Sequence, residues 1–159
     1  GAGGGVATAA IALARAAGLT VWATSRDEDK RTKALALGAH EAFESGARLP
    51  GKADAVLETV GKATWSHSMR ALRPGGTLVV SGATSGPDPS ADLNRLFFLQ
   101  LRVIGSTMGT RDELADLLSF CVASGVRPLI DDVRPLAEAA GSFEKLAQGD
   151  VFGKLVVTI

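Results

Sequence analysis

The sequence predicts an α/β fold built on a doubly wound parallel sheet, and three observations predict it. Apolar, strand-like runs alternate with amphipathic helical segments along the whole chain. The chain opens on a glycine-rich turn that passes directly into a helix. Several of the apolar runs end in small polar residues, and ligands of open parallel sheets bind at that carboxyl edge.

The opening turn is the strongest single signal. Glycine occupies four of the first five positions, so backbone N–H groups can approach a ligand without side-chain obstruction. A glycine turn that feeds a helix N-terminus is an anion site. Read from Ala2, the segment is Ala2-x-Gly4-x-x-Ala7, a small-residue version of the dinucleotide-binding pattern. The alternative is a flexible glycine-rich terminus. The candidate phosphate-binding residues are Gly3, Gly4, Gly5 and Val6.

The remaining elements follow in alternation. Strands are predicted at residues 19–24, 53–58, 77–82, 101–106, 129–133 and 154–159, and helices at 5–17, 30–37, 62–72, 92–99, 111–124 and 136–146. A sheet of this type also needs an apolar strand immediately before the glycine turn, and the sequence lacks that first strand. We therefore expect either a gap in the middle of the sheet, between the strands at 19–24 and 53–58, or another segment that fills it.

Helical periodicity predicts two apolar stripes that face the core. One consists of Trp65, Met69 and Leu72, and the other of Leu114, Leu117, Leu118 and Cys121. His40 and His67 fall outside these stripes, so we expect both to face solvent and assign neither a chemical role.

Composition limits the function classes. The chain has 159 residues, which suits one domain, and 17 basic side chains balance 17 acidic ones. This balance gives no electrostatic reason to expect a nucleic-acid or membrane partner. The single cysteine excludes an internal disulfide and a cysteine-cluster zinc site, so we expect a cytoplasmic protein whose chain binds no metal.

Five motifs in order carry a resemblance to a known family. They are Gly1 to Val6, Leu37-Gly38-Ala39, Leu72 to Gly76 before Ser81-Gly82, Ile104 to Gly109, and Gly153 to Val157. As a set they resemble the Rossmann cofactor domain of the medium-chain dehydrogenase/reductase superfamily, which includes quinone oxidoreductases and zinc alcohol dehydrogenases. The resemblance implies the C-terminal part of a two-domain enzyme with a small-molecule substrate. It also implies a homodimer, for which the edge strand at 129–133 is our candidate contact.

The end of the second strand of such a domain bears on the choice of cofactor. An NAD-binding enzyme usually places a carboxylate there to bind the ribose 2′-hydroxyl, and this chain has Ser25 instead. Ser25, Arg26 and Lys30 suit a 2′-phosphate, which favours NADP over NAD. Alternatively, Ser25-x-x-Glu28 is a capping box, and the two basic residues are only solvated.

Three further loops follow predicted strands. They contain Thr59; Ser81, Gly82, Ala83 and Thr84; and Ser106, Thr107 and Met108. The resemblance implies that these loops border the adenine ribose, the nicotinamide ribose and the carboxamide, respectively. Read as structure alone, each is a small-residue strand exit that needs no ligand.

The resulting hypothesis is an NADPH-dependent medium-chain oxidoreductase that acts on a quinone, an enone or a related carbonyl compound. One alternative is an NAD-linked zinc alcohol dehydrogenase whose metal site lies outside this chain, and another is a nucleotide-sensing domain without catalysis. The chain has no tyrosine, which argues against the short-chain reductases. No catalytic residue is assigned.

Overall fold

A computed structural model describes residues 1–159. The helices are α1 Gly5–Ala16, α2 Glu28–Leu37, α3 Trp65–Ala71, α4 Leu93–Phe98, α5 Arg111–Ser124 and α6 Ala139–Gln148. The strands are β1 Trp22–Thr24, β2 Glu41–Phe43, β3 Ala53–Glu58, β4 Leu72–Val80, β5 Arg102–Gly105, β6 Ile130–Pro135 and β7 Lys154–Thr158. All strand pairs are parallel. The predicted α/β class with a parallel sheet is confirmed.

The strands form three separate ladders, β1–β2, β3–β4–β5 and β6–β7. Strands β1 and β3 belong to different ladders. Strand β2 was not predicted, because three residues that include Glu41 show too little alternation to indicate a strand.

The chain divides into two compact units, and the first contains Gly1–Glu44 and Arg111–Ile159. The buried core of this unit consists mainly of small side chains: Ala2, Ile11, Ala23, Ala34, Ala39 and Phe152. Four of these six residues are alanines, and the cluster joins Ile11 of α1 to Ala34 of α2. The rings of Trp22 and Phe43 meet edge to face across the β1–β2 pair, with centroids 6.1 Å apart.

The second unit, Ser45–Thr110, has its own core of Met69, Leu72, Leu78 and Leu101. The predicted Trp65–Met69–Leu72 stripe is confirmed, since Met69 and Leu72 are each 1% exposed and Trp65 packs against the cluster. Helix α3 is shorter than predicted. Leu72 already begins β4, where it pairs with Ala53.

The second predicted stripe is wrong as a description of the core. No residue of α5 is buried, and Leu114 and Leu118 are 55% and 58% exposed. Cys121 is half-buried. Periodicity identifies the apolar side of a helix, but it does not tell what covers that side. None of the helices combines the length and the apolar character needed to cross a membrane.

Candidate functional site

In the first unit, backbone hydrogen bonds hold the glycine turn on both sides. The Ala2 N–H donates to the Thr24 carbonyl at the end of β1, at 3.0 Å. The Gly153 N–H, next to the start of β7, donates to the Gly3 carbonyl, also at 3.0 Å. The turn is therefore an ordered part of this unit rather than a loose terminus.

Helix α1 begins directly after the turn, with Gly4 as its N-cap and no side-chain cap. The first helical hydrogen bond runs from the Thr8 N–H to the Gly4 carbonyl, at 2.9 Å. The N–H groups of Gly5, Val6 and Ala7 consequently have no acceptor within the helix. Unsatisfied N–H groups at the positive end of a helix dipole are suited to a phosphate.

The three glycines of the turn have different surroundings. A Cβ on Gly3 would lie 2.8 Å from Lys30 Cδ and 3.0 Å from the Val151 carbonyl oxygen. A Cβ on Gly5 would lie 2.7 Å from Lys154 Cδ. Nothing lies within 4 Å of the corresponding position on Gly4, which is exposed. Gly3 and Gly5 are thus packed against lysine side chains, whereas Gly4 is open to a ligand.

Two lysines flank this turn. The Lys30 ammonium donates to the Gly149 carbonyl, and its side chain passes over Gly3. The Lys154 ammonium lies 3.5 Å from the position that a Cβ on Gly5 would occupy. Lys154 is a candidate binding residue that sequence reasoning missed. The Gly153-Lys154 pair is one of the family motifs, but the sequence alone does not show that its charge lies beside the glycine turn.

Ser25 follows β1 and is 5% exposed. Its hydroxyl accepts from the Asp27 N–H at 3.2 Å, and its carbonyl accepts from Arg31 Nη1 at 2.9 Å. Arg26 is exposed, and its guanidinium makes no hydrogen bond or ion pair. The Arg26 guanidinium is therefore available to a 2′-phosphate, whereas Ser25 is buried and its hydroxyl oxygen already accepts one local hydrogen bond.

The capping-box alternative for Ser25 and Glu28 is wrong. The N-cap of α2 is Asp27, whose carboxylate accepts from the Lys30 N–H at 3.0 Å. This hydrogen bond from the Lys30 backbone is the main reason why the pKa of Asp27 lies below its ordinary value. The Ser25 hydroxyl instead accepts from the Asp27 N–H, one residue before the helix begins, so it does not cap α2.

In the second unit, two of the predicted loops are in direct contact. The Ser81 N–H donates to the Glu58 carbonyl at 2.9 Å, which extends the β3–β4 pairing into the loops. A Cβ on Gly82 would lie 2.8 Å from the Thr59 carbonyl oxygen, so only glycine allows this approach. The carboxyl ends of β3 and β4 thus bring Thr59, Ser81 and Gly82 together.

The other predicted residues of this unit are less closely joined. The Ser106 N–H donates to the Val80 carbonyl at 2.9 Å, which places Ser106 beside the end of β4. Ala83 lies against Gly61, where an added Cβ would be 2.9 Å from the Ala83 Cα. Thr84, Thr107 and Met108 are exposed, Met108 to 91%, and their side chains make no hydrogen bond to the loops above.

The carboxylate of Glu58 organises the turn between β3 and α3, a role that no sequence motif indicates. Glu58 is 3% exposed, and its oxygens accept from the Val60 N–H at 2.7 Å and the Gly61 N–H at 3.1 Å. They also accept from Thr64 Oγ1 at 2.9 Å and Ser68 Oγ at 2.6 Å.

Two opposing effects act on the pKa of Glu58. Burial, the largest single effect, raises the pKa, whereas the hydrogen bonds from Ser68, Val60, Gly61 and Thr64 lower it. Together the hydrogen bonds outweigh burial, so the pKa lies below its ordinary value. The charged form is therefore the one that this turn stabilises.

The histidines hold backbone segments. His40 is exposed, as expected, and its Nδ1 accepts from the Val21 N–H at 3.0 Å. The expectation that His67 faces solvent is wrong, because its ring is half-buried and Nε2 donates to the Ala47 carbonyl at 2.8 Å. No group of three or more His, Cys, Asp or Glu side chains is arranged to hold a metal ion.

The chain is similar to known dehydrogenases in sequence and in structure. The sequence profile of a family described as zinc-binding dehydrogenase matches residues 5–123. An alcohol dehydrogenase of Geobacillus stearothermophilus is 30% identical in an alignment that covers 98% of this chain and 48% of that protein. A quinone oxidoreductase of Mus musculus is 29% identical in an alignment that covers 100% of this chain and 53% of that protein. The structure of a cobalt- and zinc-bound thermostable alcohol dehydrogenase from Pyrobaculum aerophilum superposes with a TM-score of 0.88 at 30% identity, covering 100% of this chain and 48% of that one. The chain spans about half the length of the curated relatives it matches.

Proposed function

Because the chain belongs to the zinc-binding dehydrogenase family, we propose that residues 1–159 form the dinucleotide-binding domain of a nicotinamide-dependent oxidoreductase. The membership confirms the resemblance drawn from the sequence motifs. The observation that carries the proposal is the start of α1, where three N–H groups lack helical acceptors beside the open Gly4. The nearby ammonium of Lys154 adds a positive charge.

This arrangement suits the diphosphate of a dinucleotide. The α1 N–H groups bind one phosphate in the direction of the helix dipole, and Lys154 neutralises part of the diphosphate charge. The bound nicotinamide supplies the hydride chemistry. In the second unit, Thr59, Ser81 and Ser106 have the role of holding the ribose and carboxamide groups.

For the cofactor we propose NADPH, with NADH as the alternative. Two features support NADPH: Ser25 stands where a carboxylate would bind the ribose 2′-hydroxyl, and the neighbouring Arg26 guanidinium is unpaired. An arginine fork binds two oxygens of a 2′-phosphate, and the proposal assigns this role to Arg26. Lys30 contributes mainly by packing against Gly3 of the turn, since its ammonium already donates to the Gly149 carbonyl.

For the reaction we propose reduction of a quinone, an enone or a related carbonyl compound. The motif resemblance and the similarity to a quinone oxidoreductase support this choice. The second candidate is oxidation of an alcohol by an NAD-linked zinc enzyme, which the similarity to an alcohol dehydrogenase supports. Within this chain the proposal assigns no catalytic acid, base or metal ligand.

We also assign the intact protein to the cytoplasm as a homodimer that associates through β6. This strand pairs with β7 on one side, and β6 and β7 form a two-stranded ladder. The other edge of β6 carries backbone N–H and C=O groups that a second copy could pair.

The experiment that tests dinucleotide binding is Gly4→Val. Nothing in the protein lies within 4 Å of the new Cβ, and the φ of −74° at Gly4 suits any residue. We expect the fold to be retained and NADPH and NADH affinity to fall by roughly 100-fold or more, because charge-assisted hydrogen bonds of about 1.5–3 kcal/mol each are lost. Fluorescence titration measures the affinity.

The matched control is Ala9→Val, which places the same branched side chain at an exposed position of α1 away from the turn. It should lower the stability of the protein only by the difference in helix propensity, below about 0.7 kcal/mol, and leave cofactor affinity unchanged. Unchanged affinity in Gly4→Val would show that the turn binds no diphosphate.

A further inference from the structure

The unit Ser45–Thr110 contains a second concave site, a pocket of about 290 Å³ beside helix α3. Four basic residues line it, Arg48, Lys52, His67 and Arg70, and no Asp or Glu side chain does. Its volume lies just below the range of about 300–1,000 Å³ that is typical of pockets for drug-sized ligands. A small molecule therefore fits this pocket better than a dinucleotide does.

The pocket lies at the amino edge of the β3–β4 pair. Lys52 and Ala71 line it, and they immediately precede Ala53 and Leu72, which are partners across the parallel ladder. Thr59 follows the opposite, carboxyl end of β3. Five residue steps along this strand span about 17 Å, so the pocket is separate from the loops assigned to the cofactor.

The charges of this unit leave the pocket positive. Seven Lys and Arg face four Asp and Glu between residues 45 and 110, a formal net charge of +3. Asp54 and Asp92 are paired with arginines outside the pocket, at 2.6 Å and 3.3 Å. The guanidinium groups of Arg48 and Arg70 take part in no hydrogen bond or ion pair. Unneutralised cations that line one concavity concentrate a positive potential there.

Two hydrogen bonds fix the walls of the pocket. Lys52 Nζ donates to the Arg70 carbonyl at 2.5 Å, and His67 Nε2 donates to the Ala47 carbonyl at 2.8 Å. The Lys52 ammonium keeps two further N–H groups, and each arginine presents a planar fork that matches two oxygens of one anion. Two arginine forks and a lysine match a phosphate dianion better than a single carboxylate.

We propose that the pocket lined by Arg48, Lys52, His67 and Arg70 binds a small phosphate-bearing anion, either free phosphate or the phosphate group of a small metabolite. The site is independent of the proposed dinucleotide site. Arg48 and Arg70 bind the phosphate oxygens, and Lys52 holds the pocket wall while contributing charge.

The test is a titration of the isotope-labelled chain with inorganic phosphate, followed by the backbone amide resonances of Gly46 and Gly51, which line the pocket. Sodium chloride keeps the ionic strength constant, so that general screening does not contribute. We expect saturable shifts at these two amides. Arg48→Gln and Arg70→Gln should each weaken binding about tenfold or more, because each removes a charge-assisted contact.

The matched control is Arg102→Gln, which removes the same charge from an exposed position on β5 outside the pocket. It should leave the affinity for phosphate unchanged. An equal loss in Arg102→Gln and the pocket variants would overturn the proposal, because net charge alone would then explain binding. Shifts that rise linearly without saturation would overturn it as well.

Two further titrations identify the source of the phosphate and test whether phosphate binds at the glycine turn instead. Tighter binding of glycerol 3-phosphate than of inorganic phosphate would support a metabolite ester, and equal binding would support free phosphate. The Gly4→Val variant should keep the shifts at Gly46 and Gly51. Their loss in that variant would show that phosphate acts from the turn, and the pocket proposal would fail while the proposed dinucleotide site stands.

Discussion

Replacing Glu58 with glutamine turns one buried carboxylate oxygen into an amide nitrogen and preserves the shape of the side chain. In the native protein one oxygen accepts from the Val60 and Gly61 N–H groups, and the other accepts from Ser68 Oγ at 2.6 Å. An amide nitrogen cannot accept the Ser68 hydrogen bond. A hydrogen bond to a charged group contributes about 1.5–3 kcal/mol, and the hydroxyl can rotate to recover part of it as an acceptor. We expect Glu58→Gln to lower the free energy of unfolding by about 2 kcal/mol at neutral pH.

The pH dependence distinguishes a charge effect from a packing effect. Because the pKa of Glu58 is lowered in the folded protein, the stability it contributes is fully present above the unfolded pKa of about 4.3. That contribution is lost as the pH falls through the still lower folded pKa. The difference between the native protein and Glu58→Gln should therefore shrink when urea unfolding is repeated below about pH 4.

The control makes the same chemical change on the same strand. Asp54 also lies on β3, but its side chain is 83% exposed and pairs with Arg73 at the surface. Asp54→Asn should lower the free energy of unfolding by less than about 1 kcal/mol, because exposed ion pairs contribute little to stability. Equal losses for the two variants, or a Glu58→Gln effect that is independent of pH, would refute the assigned role of the buried carboxylate.

The remaining predictions concern ligand binding and assembly. In fluorescence titrations, Arg26→Ala should weaken the binding of NADPH by about 1.5–3 kcal/mol more than the binding of NADH, because only NADPH has the 2′-phosphate. Equal weakening of the two would contradict this role. Lys154→Gln should lower the affinity for both cofactors alike, by roughly tenfold, since they share the diphosphate. A loss of affinity for only one of them would exclude the contact between Lys154 and the diphosphate. Light scattering of the intact protein at micromolar concentration should give the mass of two chains, and a monomer mass would rule out association through β6.

The parts of the fold that follow from local sequence were predictable. The glycine turn feeding α1 was predicted because several adjacent glycines before an alanine-rich helix have few other structural uses. The Met69 stripe was predicted because helical spacing reports directly which side of a short buried helix is apolar. The contact between Gly82 and Thr59 follows the rule that parallel strands end at one edge.

The features that were missed depend on partners distant in sequence or on competition between neighbours. Strand β2 exists through its pairing with β1 rather than through its own three residues. Asp27 rather than Ser25 caps α2, and both residue types are good N-caps, so composition alone does not decide between them. Lys154 comes near the turn only because Gly153 pairs with Gly3, which lies 150 residues earlier in the chain.

The glycines of the opening turn therefore serve two different physical purposes. Gly3 and Gly5 are small because Lys30 and Lys154 lie against them, so a larger residue at either position would displace a lysine side chain. Gly4 touches nothing in the protein, so packing does not require a glycine there. Gly4 is the N-cap of a helix whose first N–H groups are unsatisfied. The close approach of a ligand to these groups explains why this position is a glycine. For this reason Gly4, rather than either neighbour, is the position at which a substitution separates binding from folding.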